Sequence, residues 1–200
     1  MTEKAGLWNV ANVLTMVRVI LVPVFVACLL AGGTAGRLAA LVTFCVASLT
    51  DLLDGRLARS RGLVTDFGKI ADPVADKALT GAALVCLSAL GELPWWVTGV
   101  IMFRELGVTA LRFWVIRQGV IAASRGGKLK TLLQVIAICL YLLPSALSPP
   151  ELVRELFMAA AVVVTVVTGV DYVLQAVRLR RSRPAAVPVK VEDQGRHDRG

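Results

Sequence analysis

DLLDGRLARSRGLVTDFGKIADPVAD, residues 51–76, holds five aspartates, Asp51, Asp54, Asp66, Asp72 and Asp76, inside a chain that is otherwise largely apolar. Asp51 and Asp54 are three apart, and Asp72 and Asp76 four apart, so on helices each pair shares a face. Carboxylates crowded in this way repel one another unless positive charge lies between them. The pattern therefore predicts a cation-dependent site where two helices meet, with the remaining chain as its scaffold.

The scaffold is predicted to be a membrane body. Of 200 residues, 56% are hydrophobic and 18% charged, and the mean hydropathy is +0.72. Soluble domains are nearer 45–50% apolar. The formal net charge of +8 suits cytoplasmic loops beside anionic lipid and does not call for nucleic acid. Cys28, Cys45, Cys86 and Cys139 lie in separate apolar runs without a CxxC pair, which suggests neither a zinc site nor a disulfide framework.

Crossing the hydrocarbon core takes roughly 20 apolar residues. Six runs meet that length, at 10–31, 36–58, 67–90, 95–116, 129–147 and 153–177. The breaks carry Gly and Pro, as in AGGTAG (31–36), GELP (91–94) and PSALSPPE (144–151), which punctuate helices. The expected fold is thus all-α, a six-transmembrane-helix bundle with short connections and antiparallel neighbours, covering 1–178. Residues 179–200, polar and of mixed charge, read as a basic, disordered tail. His197, the sole histidine, lies in that tail and is not a catalytic candidate.

Charge placement orients the bundle. One set of ends carries Lys4, Arg56, Arg59, Arg61, Arg117, Arg125, Lys128, Lys130, Arg178, Arg180, Arg181 and Arg183; the opposite set carries Arg37 and Arg154. Positive residues mark the cytoplasmic side. Both termini and the aspartates are then cytoplasmic, in a multi-pass protein of the cell membrane. The first run is not a cleaved signal, because Arg18 interrupts it and it is long enough to span.

On a helical wheel at ~100° per residue, Asp51, Asp54, Gly55, Ala58 and Arg59 share one broad face. Gly68, Asp72 and Asp76 form an i, i+4, i+8 stripe on the next helix. Gly55, Ala58 and Gly68 remove bulk where a ligand approaches. Magnesium and manganese prefer such oxygen donors near phosphates. Two ions can neutralise a pyrophosphate and its leaving oxygen, and Arg59 can add a fork of donors to a phosphate. Asp66 and Thr65 also fit helix caps, and Pro73 fits a bend.

The pattern Asp51-x2-Asp54-Gly55-x2-Ala58-Arg59-x8-Gly68-x3-Asp72-x3-Asp76 resembles, at all eight positions, the signature of the CDP-alcohol phosphatidyltransferase family. NVANVLTMVRVILVPVF (9–25), Arg104-Glu105-Leu106 and GKLKTLLQ (127–134) look like the phosphatidylglycerophosphate-synthase branch. ELPWWVT (92–98) and GVDYV (169–173) are similar to its actinobacterial type. The resemblance spans roughly residues 8–178. It implies six membrane helices, a homodimer and a divalent-metal site, Mg²⁺ or Mn²⁺, open to the cytoplasm. It implies that Asp51, Asp54, Asp72 and Asp76 ligate the metal and that Asp76 also accepts the proton of the acceptor alcohol. Gly55, Ala58, Arg59 and Thr65 would face the CDP part of CDP-diacylglycerol, with Asn12 closing over the nucleotide.

The signature speaks only to the donor. For the acceptor, Arg104 lies roughly 13 Å into the fourth helix at 1.5 Å per residue, where an arginine faces a wet interior. Arg112, Lys128 and Lys130 lie nearer the same membrane face. This basic set suits an acceptor with its own phosphate, so glycerol 3-phosphate is expected, the products being phosphatidylglycerol phosphate and CMP. Lys128 and Lys130 also fit positive-side anchoring, and Arg104 a salt bridge to Glu105. Inositol phosphate, serine, or phosphatidylglycerol giving cardiolipin are rival acceptors. A cation or proton transporter is the rival from another class. It would need a polar path through both bilayer halves, whereas 38–48 and 79–90 carry no charge. A scaffold with a dead site would not respond to metal and CDP.

Overall fold

The computed structural model describes the backbone of residues 10–61, 66–115 and 125–181, and the side chains of 13, 15–50, 75, 77–111 and 126–178. These residues form six helices and no strand: α1 Val10–Ala31, α2 Gly33–Arg61, α3 Asp66–Ala89, α4 Trp95–Val115, α5 Arg125–Leu142 and α6 Glu151–Arg181. Helix α1 packs along α2 and α3, α6 along α4 and α5, and α3 bridges the two groups through α4.

Local chemistry explains the helix ends. Gly32 and Gly33 adopt φ of 70° and 65°, a left-handed conformation that glycine enters without a Cβ penalty. They turn the chain within one non-helical residue, so α2 begins at Gly33 and not at 36. At the end of α3, Gly91 has φ 75°. Its N–H bonds the Ser88 carbonyl at 3.0 Å, and the Glu92 N–H bonds the Leu87 carbonyl at 3.0 Å, which is a Schellman cap.

Helix α5 departs most from its expected range of 129–147. It starts at Arg125 and ends at Leu142. Pro144 cannot donate the next helical hydrogen bond, and it disfavours helical backbone at Leu143. Helix α6 starts after the Pro149-Pro150 pair, with the Pro150 carbonyl accepting from Val153 N–H at 2.9 Å. It runs on through its basic end to Arg181.

The bundle is apolar outside as well as inside. Phe25, Phe44, Leu84, Leu87, Ile101 and Ile138 form the core, and the Phe25 and Phe44 rings lie 5.9 Å apart. Yet Val19, Ile20, Trp95, Trp96, Val163 and Val167 are exposed, and Phe103 is 82% exposed. Buried among the core are Thr15, Arg18, Glu105, Lys130, Gln134 and Thr165. In water this arrangement would leave a large apolar surface uncovered. Among the described residues, two helices are long and apolar enough to cross a membrane, over Gly33–Thr50 and Glu151–Arg178; Thr15–Ala31 and Lys77–Ala89 are shorter apolar stretches. The four cysteines are free thiols. Packing brings two of them together, with the Sγ atoms of Cys45 and Cys139 3.7 Å apart.

Among the described glycines, the tightest approach is at Gly36. A Cβ there would lie 2.7 Å from the carbonyl oxygen of Cys28, a backbone atom of α1 that cannot rotate away. Overpacking of this kind costs about 1–3 kcal/mol. Gly36→Ala is therefore expected to lower the thermal midpoint in detergent. Gly99→Ala, which meets open space, should leave it unchanged or raise it. Equal midpoints for the two variants would refute the close α1–α2 contact.

Candidate functional site

The aspartate positions fall on two consecutive helices. Asp51 and Asp54 lie in the C-terminal half of α2, with Gly55, Ala58 and Arg59 in the turns that follow. Asp66, Gly68, Asp72 and Asp76 lie in the N-terminal half of α3. The two helices contact each other, and only residues 62–65 separate them. All four proposed ligand positions therefore belong to one end of the bundle. Asn12 is in the first turn of α1, which packs along both helices, so its backbone belongs to that end too. The side chains of Asn12, Asp51, Asp54, Ala58, Arg59, Asp72 and Asp76 and the surroundings of Gly55 lie outside what is described, as does Thr65 altogether. The donor chemistry is nonetheless plain from the residues: four carboxylates with no histidine or thiol among them. Such an oxygen-only set fits a hard divalent cation.

Next to these positions the described side chains form a buried ionic cluster. Its centre is Glu105 of α4, 2% exposed. One carboxylate oxygen pairs with Lys77 of α3, the residue after Asp76. The other pairs with Lys130 of α5, itself 3% exposed, and lies 3.2 Å from Nη1 of Arg104. Arg104 then reaches α6, where its Nη2 donates to Thr168 Oγ1 at 3.0 Å. Thr168 is held in turn by its own hydrogen bond to the Val164 carbonyl at 2.7 Å. Below this layer, Gln134 Nε2 donates to Thr165 Oγ1 at 3.2 Å.

Glycine permits this crossing. A Cβ at Gly169 would lie 2.9 Å from Cγ of Arg104, so the absence of a side chain lets the arginine lie flat against α6. Among the described residues, three cations surround one carboxylate. Charges taken out of water attract and repel strongly, so Arg104 and Lys130, which share the single carboxylate of Glu105, favour an anion at the cluster. Arg104 Nε adds a buried donor with no hydrogen-bond partner.

Of the four residues expected to hold the acceptor phosphate, Arg104 and Lys130 meet here. Lys128 is exposed and has no ion pair among the described residues. Arg112 lies near the end of α4, with its side chain outside those described. The alternative reading of Arg104, a salt bridge to Glu105, is also present, and the two are compatible because Glu105 alone cannot neutralise both Arg104 and Lys130. Sequence reasoning missed Lys77 and Thr168, and treated Glu105 only as a possible partner for Arg104. The available signal was a charged residue at depth in each of three apolar helices, since such charges mark interior partners.

A family model described as CDP-alcohol phosphatidyltransferase matches residues 8–167. A Mycobacterium tuberculosis protein named probable phosphatidylglycerophosphate synthase is 52% identical over 178 residues, covering 88% of this chain and 85% of that one. A Bacillus subtilis protein named CDP-diacylglycerol–glycerol-3-phosphate 3-phosphatidyltransferase is 40% identical over 183 residues, covering 83% and 94% respectively. An Escherichia coli protein of the same name is 40% identical over 137 residues, or 66% of this chain and 75% of that one.

Proposed function

This chain belongs to the CDP-alcohol phosphatidyltransferase family, and from that premise we propose that it moves the phosphatidyl group of CDP-diacylglycerol onto glycerol 3-phosphate. The products are phosphatidylglycerol phosphate and CMP. Relatives named for this reaction support the acceptor. The observation that supports it is the buried Lys77–Glu105–Lys130–Arg104 cluster, in which Lys77 directly follows Asp76 in α3.

In this reading Asp51, Asp54, Asp72 and Asp76 hold one or two Mg²⁺ or Mn²⁺ ions. A bound divalent ion supplies charge neutralisation for the diphosphate of the donor and for the departing CMP. The chain's own residues do the rest. Gly55 and Ala58 leave room for the nucleotide, Arg59 and Thr65 bind its phosphates, and Asn12 closes over it. Arg104 and Lys130, with Arg112 and Lys128 nearer the surface, hold the acceptor's phosphate so that its primary hydroxyl faces the lipid-linked phosphorus. Asp76 takes the hydroxyl proton. The new P–O bond forms as the bond to CMP breaks, and positioning with charge stabilisation is the main demand of such a transfer.

The membrane setting supports the same reading. CDP-diacylglycerol is a lipid, and the exposed Val, Leu and Phe side chains suit acyl chains. Trp95 and Trp96, exposed at the start of α4, suit a bilayer interface. We take all six helices as spans of the cell membrane, with both termini and the aspartate end cytoplasmic, and the active form as a homodimer. In purified protein, CMP release is expected to require both glycerol 3-phosphate and a divalent cation, and to fall to background with EDTA. Release that proceeds equally with inositol phosphate, or without any acceptor, would refute the assignment.

A further inference from the structure

The end of the bundle opposite the aspartates holds a cavity of about 530 Å³. The start of α2 lines it with Thr34 and Arg37, the α3–α4 turn with Glu92, the α5–α6 connection with Ser148, and the start of α6 with Arg154. Arg37 and Arg154 are the two cations that the charge pattern sets apart at these ends, and folding brings both to one cavity.

The two arginines differ in their partners. Arg37 forms an ion pair with Glu92, and its Nη1 donates to the Tyr141 carbonyl at 3.2 Å. Arg154 lies with its guanidinium carbon 5.3 Å from the centroid of the Tyr141 ring and has no ion pair among the described residues. Its Nε is buried without a hydrogen-bond partner, and so is Oγ of Ser148. Glu151 and Glu155 stand exposed on α6, outside the cavity lining but near enough to Tyr141 for their charges to act on it alongside that of Arg154.

Buried polar atoms are almost always bonded, and here two unbonded ones belong to residues that line one cavity. The space is many times what one water needs. A guanidinium with no ion pair among the described residues, on a cavity it shares with an unbonded serine hydroxyl, offers donors to a phosphate oxyanion. We propose that this cavity binds a phosphate-bearing anion, with Arg154 and Ser148 as donors and the Arg37–Glu92 pair as a fixed wall. A phospholipid headgroup and free phosphate share that chemistry.

The test uses the full chain in neutral detergent after removal of lipid. Binding is measured for inorganic phosphate, dihexanoyl phosphatidylglycerol and dihexanoyl phosphatidylcholine. Arg154→Gln is expected to weaken phosphatidylglycerol binding about tenfold while CMP release stays at the wild-type level. Ser148→Ala should weaken it less. A parallel loss of phosphate binding identifies the phosphate group alone as the ligand; a loss confined to phosphatidylglycerol identifies the lipid headgroup. Thr34→Trp, at an exposed position of the lining, narrows the cavity while leaving both arginines in the sequence, and should also weaken binding. If Arg154→Gln does not fold, Ser148→Ala and Thr34→Trp decide the matter. Binding equal to wild type in the variants, or no binding of any probe to the wild type, overturns the proposal.

Discussion

Asp76→Asn is expected to lower acceptor-dependent CMP release by about a thousandfold or more, with the thermal midpoint little changed. Two proposed roles meet at this one position. As proton acceptor, a positioned carboxylate contributes about 10²–10⁴-fold. As a metal ligand it also helps neutralise charge on the transferring group. Asparagine keeps the size and a carbonyl oxygen but loses both the basicity and the charge. The position lies within α3, between Ala75, which is fully buried, and Lys77, so the backbone has little freedom to offer a substitute. The two roles separate by measurement. If Asp76 acts only as a ligand, excess Mn²⁺ should restore much of the rate. If it acts as the base, saturating metal should leave the rate low, and the acid limb of the pH–rate profile should vanish. Near-normal turnover at ordinary metal concentration would eliminate both roles. Asp72→Asn is the companion measurement, because a ligand that is not the base should respond to metal alone.

The fold was legible where local chemistry decides it. The Gly32–Gly33 turn, the Gly91 cap and the Pro149-Pro150 start of α6 all follow from backbone preferences that a sequence displays. The aspartate positions were legible because their spacing is helical and their chemistry is costly in an apolar chain. The end of α5 was misplaced by counting apolar residues through Pro144, although proline ends a helix whatever its neighbours' hydropathy. The ionic cluster was harder to see. Lys77, Glu105 and Lys130 sit on three different helices, and nothing in the spacing along any one helix says that they converge. Their meeting depends on how α3, α4 and α5 pack, and the packing depends on sites such as Gly169, where a missing side chain admits Arg104. Arg37 and Arg154 show the same limit. The charge pattern set them apart as the two cations of their membrane face, yet only the tertiary structure brings them to one cavity beside Tyr141.

Glu105→Gln should be the most destabilising single change within the described cluster. The variant keeps the shape of the side chain and removes the one carboxylate that Lys77, Lys130 and Arg104 share. Removing one partner of a buried ion pair costs about 3–5 kcal/mol, because the remaining charge stays buried without compensation. For a chain of this length, that corresponds to a fall in thermal midpoint on the order of 10 °C. The sharing of one carboxylate by several cations then predicts an asymmetry. Lys130→Met removes one of three cations, and Glu105 keeps Lys77 and Arg104, so the loss should be well under half as large. In the double variant Glu105→Gln/Lys130→Met, part of the lost stability should return, since one uncompensated charge has gone. Additive losses would mean that Glu105 and Lys130 do not interact. Activity gives an independent reading. If Glu105 also sets the positions of Arg104 and Lys130 for the acceptor, then Glu105→Asp, which keeps the charge but shortens its reach, should raise KM for glycerol 3-phosphate more than it lowers kcat. A cluster that only holds the helices together would shift the thermal midpoint and leave KM where it was.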